Sequence, residues 1–268
     1  VTSATPRELD AGRLDQAALR WVLGWWGAIM YAALLLVLPL TRHGWSDEGM
    51  RQNLARHAYQ DTAPILPGFS ILAALLTVVI TRIVVVTAYS YGVSQYALEM
   101  VIRVLVLELI PLIAALFVAL RCTIPNGAAV AEMRRNGHFQ SLRRAGVDPL
   151  VREVMPRMLA GGYAVVTLAA LSCVVAGIVA YLAVYGDTLA GLPAYTRMFG
   201  HVFEPTVALI FMLKTVFFAV AVAVIPMASG ANDIAAPSQR ESAALQGLVR
   251  MFAVLLLLEA ASLVGNYY

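Results

Sequence analysis

Six arginines fall between Arg134 and Arg157 (Arg134, Arg135, Arg143, Arg144, Arg152 and Arg157), and the segments on either side are long and overwhelmingly apolar. A charge at the centre of a bilayer costs about 2.5–3.5 kcal/mol even on the mildest scale, so a segment this rich in arginine sits in water. A helix needs about 20 apolar residues to cross, and the flanking runs are long enough. Arginine accumulates on the cytoplasmic side of spans, so the cluster is expected there. Hydrophobic residues make up 60% of the chain against 13% charged, and the mean hydropathy is +0.77. These values exclude an ordinary soluble domain and a disordered chain. The long continuous runs favour an all-α bundle over a β-barrel, whose strands would alternate. The net charge of +3 comes mostly from the arginine segment and calls for no nucleic acid.

Five spans are expected at residues 65–89, 96–120, 158–185, 207–227 and 243–264. An earlier apolar run, Trp21 to Leu40, carries Trp21, Trp25, Trp26 and Tyr31 in its first half, which suits a helix lying in the membrane interface. No cleavable leader is read in residues 1–20. The chain therefore divides into residues 1–55, polar and interfacial, and residues 56–268, the membrane domain. With the arginine cluster inside, the N-terminus is expected in the cytoplasm and the C-terminus outside. Pro111 is expected to kink the second span, and Pro125-Asn126-Gly127 to break or bend its helix near the cytoplasmic surface. The stretches 42–61 and 186–200 read as polar connections.

An ordered set of residues carries a family resemblance. It comprises Glu108-Leu109-Ile110-Pro111, Ala115-Leu116, Ala119 and Arg121, then Met133-Arg134, Val147-Asp148-Pro149, Pro156-Arg157 and Leu213-Lys214-Thr215. The set resembles the MlaE-type permeases of MCE (mammalian cell entry) lipid ABC transporters. The resemblance implies a permease that pairs with a second copy of itself and binds two cytoplasmic ABC ATPase subunits. It further implies a periplasmic MCE-domain protein, a phospholipid as cargo and a bacterial inner membrane. ATP and magnesium would belong to the ATPase, because this chain has no G-x-x-x-x-G-K-[ST] loop and no cofactor of its own is expected. The chain departs from its relatives at Ile80 to Ile83, Ala129 and Gly137-His138.

Residues 131–146 read as a coupling helix, with Phe139 and Leu142 offered to a groove of the ATPase and Arg134, Arg135, Arg143 and Arg144 meeting an acidic rim. A solvated loop that merely fixes topology is the plainer account. Glu108 and Lys214, the chain's single lysine, lie at intramembrane depth on different spans, which points to a buried pair or to two walls of a lipid cavity. Arg82 is a third candidate for substrate binding. Glu99 and Arg103 are spaced as an i,i+4 pair and read as snorkelling to the interface. Glu259 is read only as facing a neighbouring helix. Cys122 and Cys173 read as small buried hydrophobes, and the four scattered histidines give no metal-ligand spacing. A secondary transporter with a Glu108–Lys214 proton relay, or a membrane scaffold, remain alternative readings.

Overall fold

The structure, a computed structural model, describes residues 30, 32–40, 45, 48–93, 96–231 and 240–267. The described residues form helices and turns without a strand. We number the helices α1 Glu48–Thr62, α2 Leu66–Ser90, α3 Ala97–Arg135, α4 His138–Arg144, α5 Leu150–Tyr185, α6 Leu192–Val202, α7 Pro205–Ala231 and α8 Arg240–Tyr267. Among the described residues, five helical stretches are long and apolar enough to cross a membrane, and they correspond to α2 (with α1 before it), α3, α5, α7 and α8. The chain is thus an all-α, multi-pass membrane protein. Most of the Trp21 to Leu40 run lies outside the described residues. Its last part is helical at 32–37 and ends in a short 3-10 turn, Leu38–Leu40, with Leu35 fully buried.

α5 is the axis of the bundle, packing against α1, α2, α3 and α7. Its buried face is built from Ala160, Gly161, Ala164, Leu168, Ala169, Ser172, Ala176 and Ala180. α2 answers with Ala73, Thr77, Thr81 and Ala88 at roughly four-residue spacing. In a bilayer helices gain little from hydrophobicity against one another, so small residues that let the backbones approach supply the packing. Thr77 returns its hydroxyl hydrogen bond to Ala73 O at 2.7 Å, so its polarity costs nothing within the apolar layer.

α3 does not break at Pro125-Asn126-Gly127. It runs continuously to Arg135 because a π-helical stretch, Ala119–Thr123, precedes the proline, and Pro125 then falls in the first turn of the following α-helical segment, where its missing N–H is tolerated. Gly127 serves contact instead: a Cβ there would stand 2.6 Å from Pro226 O of α7, and a Cβ on Gly230 would collide with the Gly127 carbonyl. α3 and α7 therefore touch backbone to backbone at the arginine-rich end.

Residues 131–146 are not one helix. α3 continues to Arg135, Asn136 and Gly137 turn the chain with Gly137 at φ +74°, and α4 follows as a separate seven-residue helix. Asp148 then caps α5: its carboxylate accepts the Leu150 N–H at 2.9 Å, with Pro149 in the first helical turn. The polar stretch 42–61 contains α1, and the stretch 186–200 contains most of α6, an amphipathic helix that buries Tyr195 and Val202. Tyr195 fixes α6 to α5 by donating to Gly177 O at 2.8 Å and by edge-on contact with Tyr181.

Candidate functional site

Glu108 sits near the end of a π-helical stretch, Ile102–Leu109, inside α3. Such stretches are rare and frequently mark functional sites. Pro111 has no N–H to return to the carbonyl of Leu107 four residues earlier, and that carbonyl accepts Lys214 Nζ of α7 at 3.2 Å. The same ammonium donates to Glu108 Oε2 and lies 2.7 Å from Glu259 Oε2 of α8. Asn266, two turns beyond Glu259, donates its amide to Glu108 Oε1 at 3.0 Å. The Phe218 ring lies one turn from Lys214, its centroid 5.7 Å from Nζ. One ammonium thus joins α3, α7 and α8. Its side chain is only 2% exposed, and burying a lone ion costs several kcal/mol, so Lys214 is held by its partners and not by solvent.

The structure joins Glu108 and Lys214, as their types and depths suggested, and adds two residues. Glu259 is a direct ion-pair partner, and Asn266 closes the cluster from the end of the last helix. An acid in the fifth apolar run was the available signal for Glu259; nothing in the sequence singled out Asn266. Arg82 does not belong to the cluster. It lies on the exposed face of α2 among Val79, Ile83 and Val86.

Next to that face, an apolar cavity of about 420 Å³ opens between α2 and α3, lined by residues that include Ile83, Thr87, Ala88, Tyr96, Ala97 and Met100. The volume lies within the range of ~300–1,000 Å³ usual for ligand pockets. Glu99 and Arg103 pair at 3.0 Å, i to i+4, on the same side of the molecule as Met100.

At the opposite end, Arg135, Arg143 and Arg144 are exposed, Arg134 and Leu142 are half-buried, and Phe139 is buried. Phe139 packs with Val130, Val154, Met158 and Met227 of its own chain. It therefore anchors α4 within its own chain, whereas Leu142, the other large apolar side chain of this seven-residue helix, is only half-buried. Beneath α4, Arg157 is 7% exposed and donates to Glu153 Oε2 at 2.7 Å and to Glu153 O at 2.6 Å. Pro156 repeats the device of Pro111. It leaves Arg152 O without a helical donor, and Asn53 of α1 donates to that carbonyl at 3.2 Å. Asp61 joins α1 to α3 by accepting from Asn126 at 2.8 Å and from Cys122 Sγ at 3.2 Å. Both cysteines are free.

Among curated proteins no match to the chain was found. The family model described as Permease MlaE matches residues 54–264, which spans α2 to α8, the buried cluster and the basic end alike. The chain belongs to the MlaE permease family and is a membrane subunit of a lipid ABC transporter.

Proposed function

We propose that two copies of this chain form the membrane core of an ATP-driven transporter whose cargo is a phospholipid. Two cytoplasmic ATPase subunits bind the basic end, and a periplasmic MCE-domain protein exchanges lipid at the α6 end. ATP and magnesium act in the ATPase. In this arrangement the N-terminus is cytoplasmic, the C-terminus periplasmic, and the membrane is a bacterial inner membrane.

The observation that carries the reading is the apolar cavity between α2 and α3, open beside the exposed α2 face in a chain of this family. An almost wholly apolar cavity suits an acyl chain, and Arg82 stands on the neighbouring stripe of α2, where an anionic headgroup group could be met. The Glu108–Lys214–Glu259 cluster ties the three helices α3, α7 and α8 into one unit. Movement imposed on α3 at the basic end is passed to α7 through the Gly127–Gly230 contact and so reaches the cluster.

The experiment is reconstitution. The chain is purified from native membranes with whatever it retains, placed in vesicles, and transfer of a fluorescent phospholipid is followed before and after ATP. An ATPase and an MCE protein that co-purify, with transfer dependent on ATP, support the reading. Transfer that persists without an ATPase, driven by a proton gradient, would replace it with a secondary transporter.

A further inference from the structure

Two acids and one base meet inside the bundle. The side chains of Lys214, Glu108 and Glu259 are 2%, 8% and 13% exposed. With all three ionised the site carries one uncompensated negative charge in a medium that solvates ions poorly. Among the described residues, the elements packed around Glu259 supply no second cation: α7 offers Lys214 alone, and the segment Ile110–Val118 of α3 has no charged residue. In the π-helical stretch the remaining cation, Arg103, is held by Glu99 at 3.0 Å. On α8 itself Arg250 lies nine residues before Glu259, about 13 Å along the axis at 1.5 Å per residue.

The hydrogen bonds divide unequally. Glu108 receives Lys214 on one oxygen and Asn266 on the other. Glu259 Oε2 stands 2.7 Å from Nζ yet off the hydrogen-bonding direction, so it has the ion-pair distance without a hydrogen bond. One turn on, Ser262 is 8% exposed and its hydroxyl has no partner; one turn further, Asn266 Oδ1 has none. Glu259, Ser262 and Asn266 follow i, i+3, i+7 spacing, one face of α8. The stripe therefore holds three buried oxygens without a hydrogen-bond partner, of which Glu259 Oε2 as a carboxylate and Asn266 Oδ1 can only accept. A carboxylate can only accept, whereas a carboxylic acid also donates. One proton brings the cluster to zero charge and turns Glu259 from a pure acceptor into a donor.

We propose that Glu259 holds a proton in this arrangement, which makes the Glu108–Lys214–Glu259 cluster a proton-binding site within the bundle. The proton comes from water when α8 closes on α7 and returns to water when separation of the two helices exposes Glu259. The packed form binds one proton more than the separated form, so rising pH favours separation. The proposal does not depend on what the chain transports.

Infrared spectra of the full-length protein in nanodiscs, with and without carbon-13 glutamate, test it. At neutral pH the wild type is expected to show a protonated-carboxyl stretch that shifts with the label. Glu259→Gln removes it. Glu108→Gln also removes it, because a single carboxylate then faces a single ammonium and Glu259 ionises. Glu99→Gln, in the partly exposed pair with Arg103, leaves it in place. A wild-type spectrum without the stretch overturns the proposal and requires no variant to fold; a stretch that survives in folded Glu259→Gln overturns it equally.

Discussion

Pro111 and Lys214 are complementary: the proline leaves the Leu107 carbonyl without its helical N–H, and the lysine of another helix donates to that carbonyl at 3.2 Å. The pairing ties a local backbone feature of α3 to a buried charge on α7. It also sets what loss of the charge does. Lys214→Ala leaves two glutamates and a carbonyl in the bundle without their common partner, and breaking a buried pair from one side costs about 3–5 kcal/mol. Thermal unfolding in detergent is expected to show that loss. The triple substitution Glu108→Gln, Lys214→Met and Glu259→Gln removes the charges together and is expected to recover most of it. A Lys214→Ala protein as stable as the wild type would show that the cluster contributes no net hold on α8.

The α3–α7 crossing yields a second test, made sharp by an internal control. A Cβ at Gly230 meets the backbone of Gly127, which cannot rotate away, so Gly230→Ala must push the two helices apart. Overpacking of this kind costs about 1–3 kcal/mol. Gly68, in the first turns of α2, has nothing within 4 Å of its missing Cβ. There the same substitution is expected to be neutral or to stabilise by up to about 0.5–1 kcal/mol through helix propensity. Melting temperatures of the two variants should therefore move apart, and equal losses would remove the argument for a backbone contact.

The five spans were legible because a bilayer demands about 20 apolar residues in a row, a requirement that composition alone reveals. Shorter elements were not. α6 has 11 residues beginning Leu192-Pro193 and lies between Gly191 and the Phe203-Glu204 turn, so it read as a loop although its Tyr195 and Val202 face inward. From sequence Phe139 reads as facing outward while the structure buries it, because a helix of seven residues does not declare which face the rest of the chain covers. At the site, Glu108 and Lys214 stood out as charges deep in apolar runs. Glu259 was equally deep but was not joined to them, since no local pattern says which of several helices an acid will face. Asn266 lay too near the end of its run to look buried. These pairings are set by tertiary packing across 106 and 158 residues of sequence.

Arg143 and Arg144 are exposed on α4 while Phe139 is buried beneath them, so the two faces of one short helix can be tested separately. Replacing both arginines with glutamate reverses charge in water and leaves the bundle untouched. Under the proposed coupling role, the ATPase is expected to be lost on purification while the permease keeps its melting temperature. Phe139→Ala is expected to do the reverse at first, lowering stability by about 3–5 kcal/mol through the cavity it leaves. Undiminished recovery of the ATPase with the double glutamate variant would remove the arginines from the interface.

Tyr195 offers a pH-dependent prediction outside the spans. Burial raises its phenol from 10.0 to about 12, and the neutral hydroxyl donates to Gly177 O at 2.8 Å. An acid whose folded value exceeds its unfolded value binds its proton more tightly when folded. Its contribution is complete below pH 10 and disappears as the pH rises towards about 12. Other groups titrate in that window, so the quantity to measure is the difference in melting temperature between wild type and Tyr195→Phe. Below pH 10 the variant is expected to be less stable by about 0.5–1.5 kcal/mol, the net value of one hydrogen bond. Above it, the difference should shrink as the wild type loses the proton. A difference that stays constant across the window would mean that Tyr195 keeps its proton throughout and that its burial does not couple to the fold as stated.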